Sequence, residues 1–406
     1  MLTRSLREDL LKYLKHFPSV LIAGARQVGK STLAMSLGID NYVTFDDITS
    51  YESAKTDPKG FVSRLSKPVI IDEVQKVPDI FPAVKEWIDG DRKPGTFVLT
   101  GSTNLQGFKN ISESLAGRIG IIDLYPLNLA EIYQSKTNLV DMLISNDLPA
   151  GKSNVGIEHH IIRGGYPEIR EMDDKKLLYL WFSSYISTYI ERDARDIGDI
   201  RNLDSFMKLY KNAAFRSGSL MNKSELSKEC GIDNKTLDNY LTILKNTYQV
   251  SLLAPYFSNE LKRLVKTPKI YMCDSGILAH LLRVTSPEQL AESEYKGMLY
   301  ETFVFDELLK ANAYAEDRAE ISFYRTSDGV EVDFILDSGR SMAAIEVKSS
   351  KSVSSGDFKN IKYAADSLRG KLKYGYVMYS GSEVMSFGQY AETKLFAIPY
   401  SVGQIK

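Results

Sequence analysis

The clearest chemistry in this chain lies in nine consecutive residues, Gly24-Ala25-Arg26-Gln27-Val28-Gly29-Lys30-Ser31-Thr32. They fit G-x-x-x-x-G-K-[ST], the phosphate-cradling Walker A loop. The glycines let the backbone bend round phosphate oxygens with no Cβ in the way. Successive N–H groups and the start of the following helix then point at the anion. Lys30 reaches the β- and γ-phosphates, and the Ser31 hydroxyl can ligate Mg²⁺. The motif needs a strand before it and a helix after it. Pro18–Ala23 is an apolar stretch that predicts a buried strand, and Leu33–Leu37 predicts a helix. ATP and Mg²⁺ are the ligands expected.

A second candidate follows at Lys67-Pro68-Val69-Ile70-Ile71-Asp72-Glu73, an apolar run ending in two carboxylates. A strand buried on both faces is continuously apolar. Ligands of open α/β sheets sit at the carboxyl ends of the strands. Asp72 would therefore emerge beside the phosphates and hold Mg²⁺, and Glu73 would orient and polarise the attacking water. The plainer alternative is a pair of acids capping a strand end. A third strand, Gly95–Thr100, runs into Gly101-Ser102-Thr103-Asn104.

The C-terminal part carries a separate acid–lysine pattern. An amphipathic helix over Tyr295–Asn312 includes Glu301, and strands are expected at Ile321–Arg325, Val330–Leu336 and Ala343–Lys348. A helix near 356–368 and a strand at Tyr374–Tyr379 follow. Glu346 and Lys348 are two apart and share one face of a strand. Asp333 on the neighbouring strand can sit beside them. Two carboxylates make a hard-cation site for Mg²⁺ or Mn²⁺. Lys348 could orient a water there, with Glu301 supporting the metal from its helix. This αβββαβ order, with Asp on the second strand and Glu-x-Lys on the third, resembles the PD-(D/E)XK nuclease fold. The alternative is an inherited fold whose acids and lysine form a buried ion-pair network.

Between these regions, Asn222 with Glu225 forms a capping box pattern. Cys230-Gly231 predicts a tight turn, and Asp233 caps a helix whose Leu237, Leu241 and Leu244 share one face. This is a helix-turn-helix pattern over 220–255. It could offer Lys235, Asn239 and Lys245 to a DNA groove. Asp233 and Asp238 on the same helix repel phosphate, so a module for packing or protein contact is the competing reading. Trp181, Phe182, Tyr185 and Tyr189 have the spacing of a core rather than of a base-stacking platform.

The phrases Gly24–Thr32, Ile70–Glu73, Leu99–Asn104 and Ser114–Arg118 resemble a large family of bacterial and archaeal AAA-type ATPases with an uncharacterised C-terminal domain. Arg163–Glu168 and Tyr189–Asp193 match it too, so the resemblance covers nearly the whole chain. It implies an AAA-like ATPase core and assigns a γ-phosphate sensor to Asn104. It also makes Arg118 a candidate arginine finger, in its own subunit or a neighbour's. A loop arginine at the surface is the alternative.

The expected fold is multidomain α/β: a P-loop parallel sheet over 1–135, a helical region over 155–285 with a winged helix from about 220, and a nuclease-like domain over 290–406. The chain has 406 residues, 43% hydrophobic and 25% charged, with net charge −1. No global basic field advertises nucleic-acid binding. Two cysteines exclude a disulfide framework and a cysteine-rich zinc site. No apolar run approaches the ~20 residues of a membrane span, and a cytoplasmic location is expected. ATP is the expected partner; DNA, another protein and an oligomer stay open. Three functions compete: an ATPase coupled to the winged-helix and nuclease-like module, an ATP-gated metal-dependent nuclease of DNA or RNA, and an ATP-dependent protein-interaction switch with little hydrolysis.

Overall fold

The computed structural model describes residues 3–103, 117–153, 155–190, 200, 202–256 and 266–405. Asn104, Ser114–Ala116 and Glu191–Asp193 lie outside the described residues. The chain divides into two compact units, Met1–Pro126 with Thr242–Gln249, and Leu127–Leu241 with Val250–Lys406. The first unit's main segment ends at Pro126, and the middle and C-terminal regions share one unit.

The first unit is built on a five-stranded, all-parallel sheet: β1 (Ser19–Ala23), β2 (Asn41–Thr44), β3 (Val69–Asp72), β4 (Phe97–Gly101) and β5 (Ile119–Asp123). Their spatial order is β2-β3-β4-β1-β5. β1, β3 and β4 are buried along their whole length, as their continuous apolar sequences require. The helices are α1 (Leu6–Tyr13), α2 (Lys30–Met35), α3 (Ile48–Thr56), α4 (Pro58–Arg64) and α5 (Ile80–Gly90). Phe61 and Val62 of α4 and Ile80, Phe81, Val84 and Ile88 of α5 pack with Leu21, Ile71, Phe97 and Leu99 of the strands in one apolar core.

In the second unit the helices are α6 (Leu129–Tyr133), α7 (Leu139–Ser145), α8 (Glu158–Arg163), α9 (Lys175–Tyr185), α10 (Leu203–Phe215), α11 (Lys223–Cys230), α12 (Asn234–Asn246), α13 (Ser275–Leu281), α14 (Pro287–Glu292), α15 (Lys296–Ala313) and α16 (Lys359–Ser367). The end of α12 is counted with the first unit. Asn222 caps α11 through Glu225 N–H, and Gly231 ends it in the left-handed region at φ 67°. Asp233 accepts from Thr236 N–H at 2.8 Å at the start of α12. Three short strands, β6 (Ser219–Leu220), β7 (Val250–Leu253) and β8 (Lys269–Met272), pair antiparallel in the order β6-β8-β7. Tyr166, Phe182 and Tyr185 are buried, and Trp181 stacks on Tyr185 at 5.2 Å between ring centres.

A six-stranded mixed sheet completes this unit: β9 (Glu320–Arg325), β10 (Glu331–Asp337), β11 (Met342–Lys348), β12 (Leu372–Tyr379), β13 (Met385–Tyr390) and β14 (Thr393–Pro399). Its order is β13-β14-β12-β11-β10-β9. β9, β10 and β11 pair antiparallel, and α16 is the crossover that lets β12 run parallel to β11. The sequence pattern held no sign of β13 and β14, which widen the sheet. Ala344, Ile335 and Val377 pack with Ile361, Ala364 and Leu368 of the α16 segment in the core.

Polar anchors explain why the second unit is one body. Asp274 accepts N–H bonds from Gly165 at 2.8 Å, Gly276 at 2.9 Å and Ile277 at 3.0 Å. A Cβ on Gly164 (φ +66°) would lie 2.0 Å from the Asp274 carboxylate, which accounts for Gly164 in the Arg163–Glu168 phrase. Glu307 on α15 accepts from Leu129 N–H at 2.9 Å, and Lys310 donates to Leu127 O at 3.4 Å. These bonds tie the start of α6 to α15 within the second unit.

Candidate functional site

The strand order decides what meets at the carboxyl edge of the first unit's sheet. β4 lies between β1, which leads into Gly24–Thr32, and β3, which ends at Asp72. Gly24 sits at φ +157°, and a Cβ there would come 2.1 Å from Leu124 O. No other residue fits that approach. Gly29 is left-handed at φ 92° and starts α2. Lys30 is buried, and its Nζ donates to Gly24 O at 3.0 Å and Ala25 O at 2.8 Å. Arg4 supports the loop from behind, donating to Val28 O at 2.7 Å and Tyr125 O at 2.6 Å.

Ser31 Oγ donates to Asp72, 3.0 Å from each carboxylate oxygen. Tyr42 O–H donates to Asp72 Oδ2 at 2.7 Å, and Thr100 O–H donates to Oδ1. Burial and the Asp72 carboxylate push the Tyr42 phenol well above its usual range, so it stays a donor. Glu73 is 8% exposed and left-handed at φ 59°. Its N–H donates to Thr100 Oγ1 at 3.4 Å. The 3₁₀ turn Val74–Lys76 brings Gln75 back to Glu73, and Gln75 also bonds Ser102 at the end of β4. Tyr42, Gln75, Thr100 and Ser102 were missed by sequence reasoning. Only Gln75, two residues after Glu73, carried a local hint.

Arg118 needs a correction. It directly precedes β5, whose Ile119 pairs with Ser19, while the loop follows Ala23 at the other end of β1. Arg118 thus stands at the opposite edge of the sheet, and its guanidinium holds Asp89 through Nε at 2.6 Å and a second nitrogen at 3.2 Å. In a parallel sheet the strand length separates the two edges, so Arg118 does not reach the loop of its own chain. Action in trans stands apart from this geometry.

The second unit brings Asp333 and Glu346 together. The β10–β11 register pairs Phe334 with Ile345, one step from both acids. Asp333 Oδ2 accepts from Val347 N–H at 2.8 Å, and Glu346 accepts from Asn360 Nδ2 at 3.2 Å. Burial, then the charges of Glu301 and Glu346, hold the Asp333 carboxyl well above the carboxylate range. Burial pushes Glu346 up to about 7, against the opposing pull of Lys348. Glu301 is committed elsewhere. Its Oε1 accepts from Lys269 Nζ at 3.0 Å and Tyr271 O–H at 2.5 Å. Lys269, 2% exposed, also pairs with Glu331 at 2.6 Å. Burial works against the Lys269 ammonium, but Glu301, Asp333 and Glu331 outweigh it and raise its pKa. Among the described residues no group of three or more His, Cys, Asp or Glu could hold a metal ion. Of the expected acids Glu301, Asp333 and Glu346, the last two are neighbours across β10–β11, and Glu301 stands beside them held by Lys269 and Tyr271. Lys269, from the middle region, is the residue the sequence could not place there.

Known proteins share parts of this chain. Residues 16–133 match the AAA domain family, residues 155–288 a domain of unknown function (DUF8612), and residues 296–401 a domain of unknown function (DUF4143). An uncharacterized protein of Mycobacterium tuberculosis is 28% identical over 334 residues, 82% of this chain and 70% of the relative. An uncharacterized protein of Methanocaldococcus jannaschii is 27% identical over 276 residues, 67% of this chain and 58% of the relative. Among solved structures, a Walker-type ATPase of Pyrococcus abyssi superposes with TM-score 0.42 at 15% identity, covering 68% of this chain and 94% of that one. A signal transduction ATPase with numerous domains from Pyrococcus horikoshii gives TM-score 0.22 at 10% identity, covering 77% and 47%. Such loose superpositions carry no fold assignment. The five-stranded parallel sheet with its flanking helices fits a P-loop ATPase-type α/β domain, in keeping with the AAA match over residues 16–133.

Proposed function

We propose that this protein binds and hydrolyses ATP with Mg²⁺ in its first unit, and that nucleotide state is coupled to the second. One observation carries the reading: the Ser31 hydroxyl and the Asp72 carboxylate, 41 residues apart, meet within hydrogen-bond distance beside the glycine loop. A hydroxyl and a carboxylate are the hard oxygen donors that suit Mg²⁺. Ser31 and Asp72 would hold it, and when bound it supplies charge neutralisation at the phosphates. Gly24–Thr32 cradle the phosphates, with Lys30 exchanging its loop carbonyls for phosphate oxygens. Glu73 orients a water toward the γ-phosphorus and accepts its proton. Asn104 remains the proposed γ-phosphate sensor.

ATP affinity and turnover of two variants test this. Lys30→Ala removes charge-assisted bonds of roughly 1.5–3 kcal/mol each and should weaken ATP at least about tenfold. Glu73→Gln should keep affinity and lose about 10²–10⁴ in turnover, the range of a general base. Unchanged ATP affinity in Lys30→Ala would sink the assignment.

The adjacency of Asp333 and Glu346 supports a second reading, an ATP-gated, metal-dependent nuclease with Lys348 beside the acids. The helix order α10-β6-α11-α12-β7-β8 supports a winged helix, on which Lys235, Asn239 and Lys245 are exposed. DNA is the partner that would use it. Cleavage of DNA or RNA that needs Mn²⁺ and disappears in Asp333→Ala, with ATP hydrolysis retained, would establish this reading over the first.

A further inference from the structure

We propose that Gln75 and Ser102 are positioning residues that hold one oxygen of Glu73 and leave the other for the attacking water. This rests on the ATPase reading above. Gln75, Ser102 and Glu73 form a closed ring. Ser102 N–H donates to Gln75 Oε1 at 3.2 Å. Gln75 Nε2 donates to Ser102 Oγ at 2.7 Å and to Glu73 Oε2. Ser102 O–H donates to the same Glu73 oxygen, with a separation of 3.4 Å.

The direction of the amide follows from its partners. A backbone N–H can only donate, so the atom facing Ser102 N is the carbonyl oxygen of Gln75. The amide nitrogen then faces Glu73, whose carboxylate can only accept. Both Gln75 N–H groups are used. Among the described residues, Glu73 Oε2 takes both side-chain donors and Oε1 takes none. The anchor comes from two elements, the turn after β3 and the end of β4. Ser102 is 1% exposed, so water does not compete for it. A base must be held within about half an ångström of its productive geometry by groups that are themselves fixed. The ring does this for Glu73, whose left-handed backbone alone would not fix its χ angles.

The neighbouring Thr103 is 2% exposed, and its hydroxyl has no partner among the described residues.

The test is ATP turnover and ATP affinity in the full chain for Gln75→Leu and Ser102→Ala, each alone and in Glu73→Gln. Gln75→Leu should lower kcat about 10- to 100-fold, the usual loss when a group orienting a reacting residue is removed. Its Kd for ATP should move less than about twofold, since the ring touches the base and not the phosphate loop. Ser102→Ala should act the same way with a smaller loss, and it keeps Gln75 as a check against simple misfolding. In the Glu73→Gln background neither change should lower turnover further, because residues that act through one group are not additive. Equal losses in both backgrounds, or a Gln75→Leu enzyme with wild-type kcat, would overturn the positioning role while the ATPase reading stood. A wild-type chain that binds ATP through Lys30 but does not hydrolyse it would remove the hydrolytic reading itself, and the positioning role with it.

Discussion

Replacing Glu307 by glutamine should stabilise the second unit by an amount that grows with pH. Glu307 is buried on α15, accepts from Leu129 N–H at 2.9 Å and has Lys310 Nζ at 4.0 Å. Burial pushes its carboxyl up from 4.5 to about 7, against the opposing effects of Lys310 and the Leu129 N–H. A raised folded-state value means that the native state holds the proton more tightly than the unfolded chain. The stabilisation from this group is complete below 4.5 and is lost as pH rises through 7. With about 1.36 kcal/mol per pKa unit, the wild type forfeits about 1 kcal/mol at pH 5 and about 3 kcal/mol at pH 8. Glutamine keeps an oxygen for Leu129 N–H and cannot ionise, so it escapes that loss. Urea unfolding of both proteins at pH 5 and pH 8 measures the difference. The gap should widen by about 2 kcal/mol between the two pH values. A gap that stays constant, or a variant that loses ground as pH rises, would refute the claim that Glu307 is held in a hostile environment. It would mean that the Lys310 ammonium outweighs burial.

Gly24→Ala should abolish ATP binding measured by calorimetry and lower the melting temperature, because its Cβ would meet Leu124 O at 2.1 Å; wild-type binding would show that the loop yields. Mn²⁺ should raise the melting temperature if Asp333 and Glu346 share it, and Asp333→Ala should remove that shift with ATP affinity intact; no shift in the wild type would favour the ion-pair network. Arg118→Ala should leave turnover by a dilute, monomeric chain unchanged, since Arg118 holds Asp89 at the far sheet edge; a turnover per chain that rises with protein concentration and falls in Arg118→Ala would assign it a role in trans.

Local chemistry was legible before any fold was known. A glycine loop between strand and helix, an apolar strand ending in Asp72-Glu73, and the caps Asn222 and Asp233 are all set by neighbours within a few residues, where spacing fixes geometry. The strands β9 to β12 were legible for the same reason, since alternation and turn residues are local. Which ends of which strands meet is settled only in the folded chain. Parallel strands are joined by crossovers, and their order in the sheet leaves no mark on the sequence around each one. Hence β4 entered between β1 and β3, putting Thr100 on Asp72 and Ser102 on the Gln75–Glu73 pair. The parallel pairing of β5 with β1 put Arg118 at the end of the sheet opposite its own loop. Pairing across a long separation gave Glu301 to Lys269, 32 residues away, a partner that a buried ammonium needs to offset the cost of leaving water and that no local pattern around either residue shows.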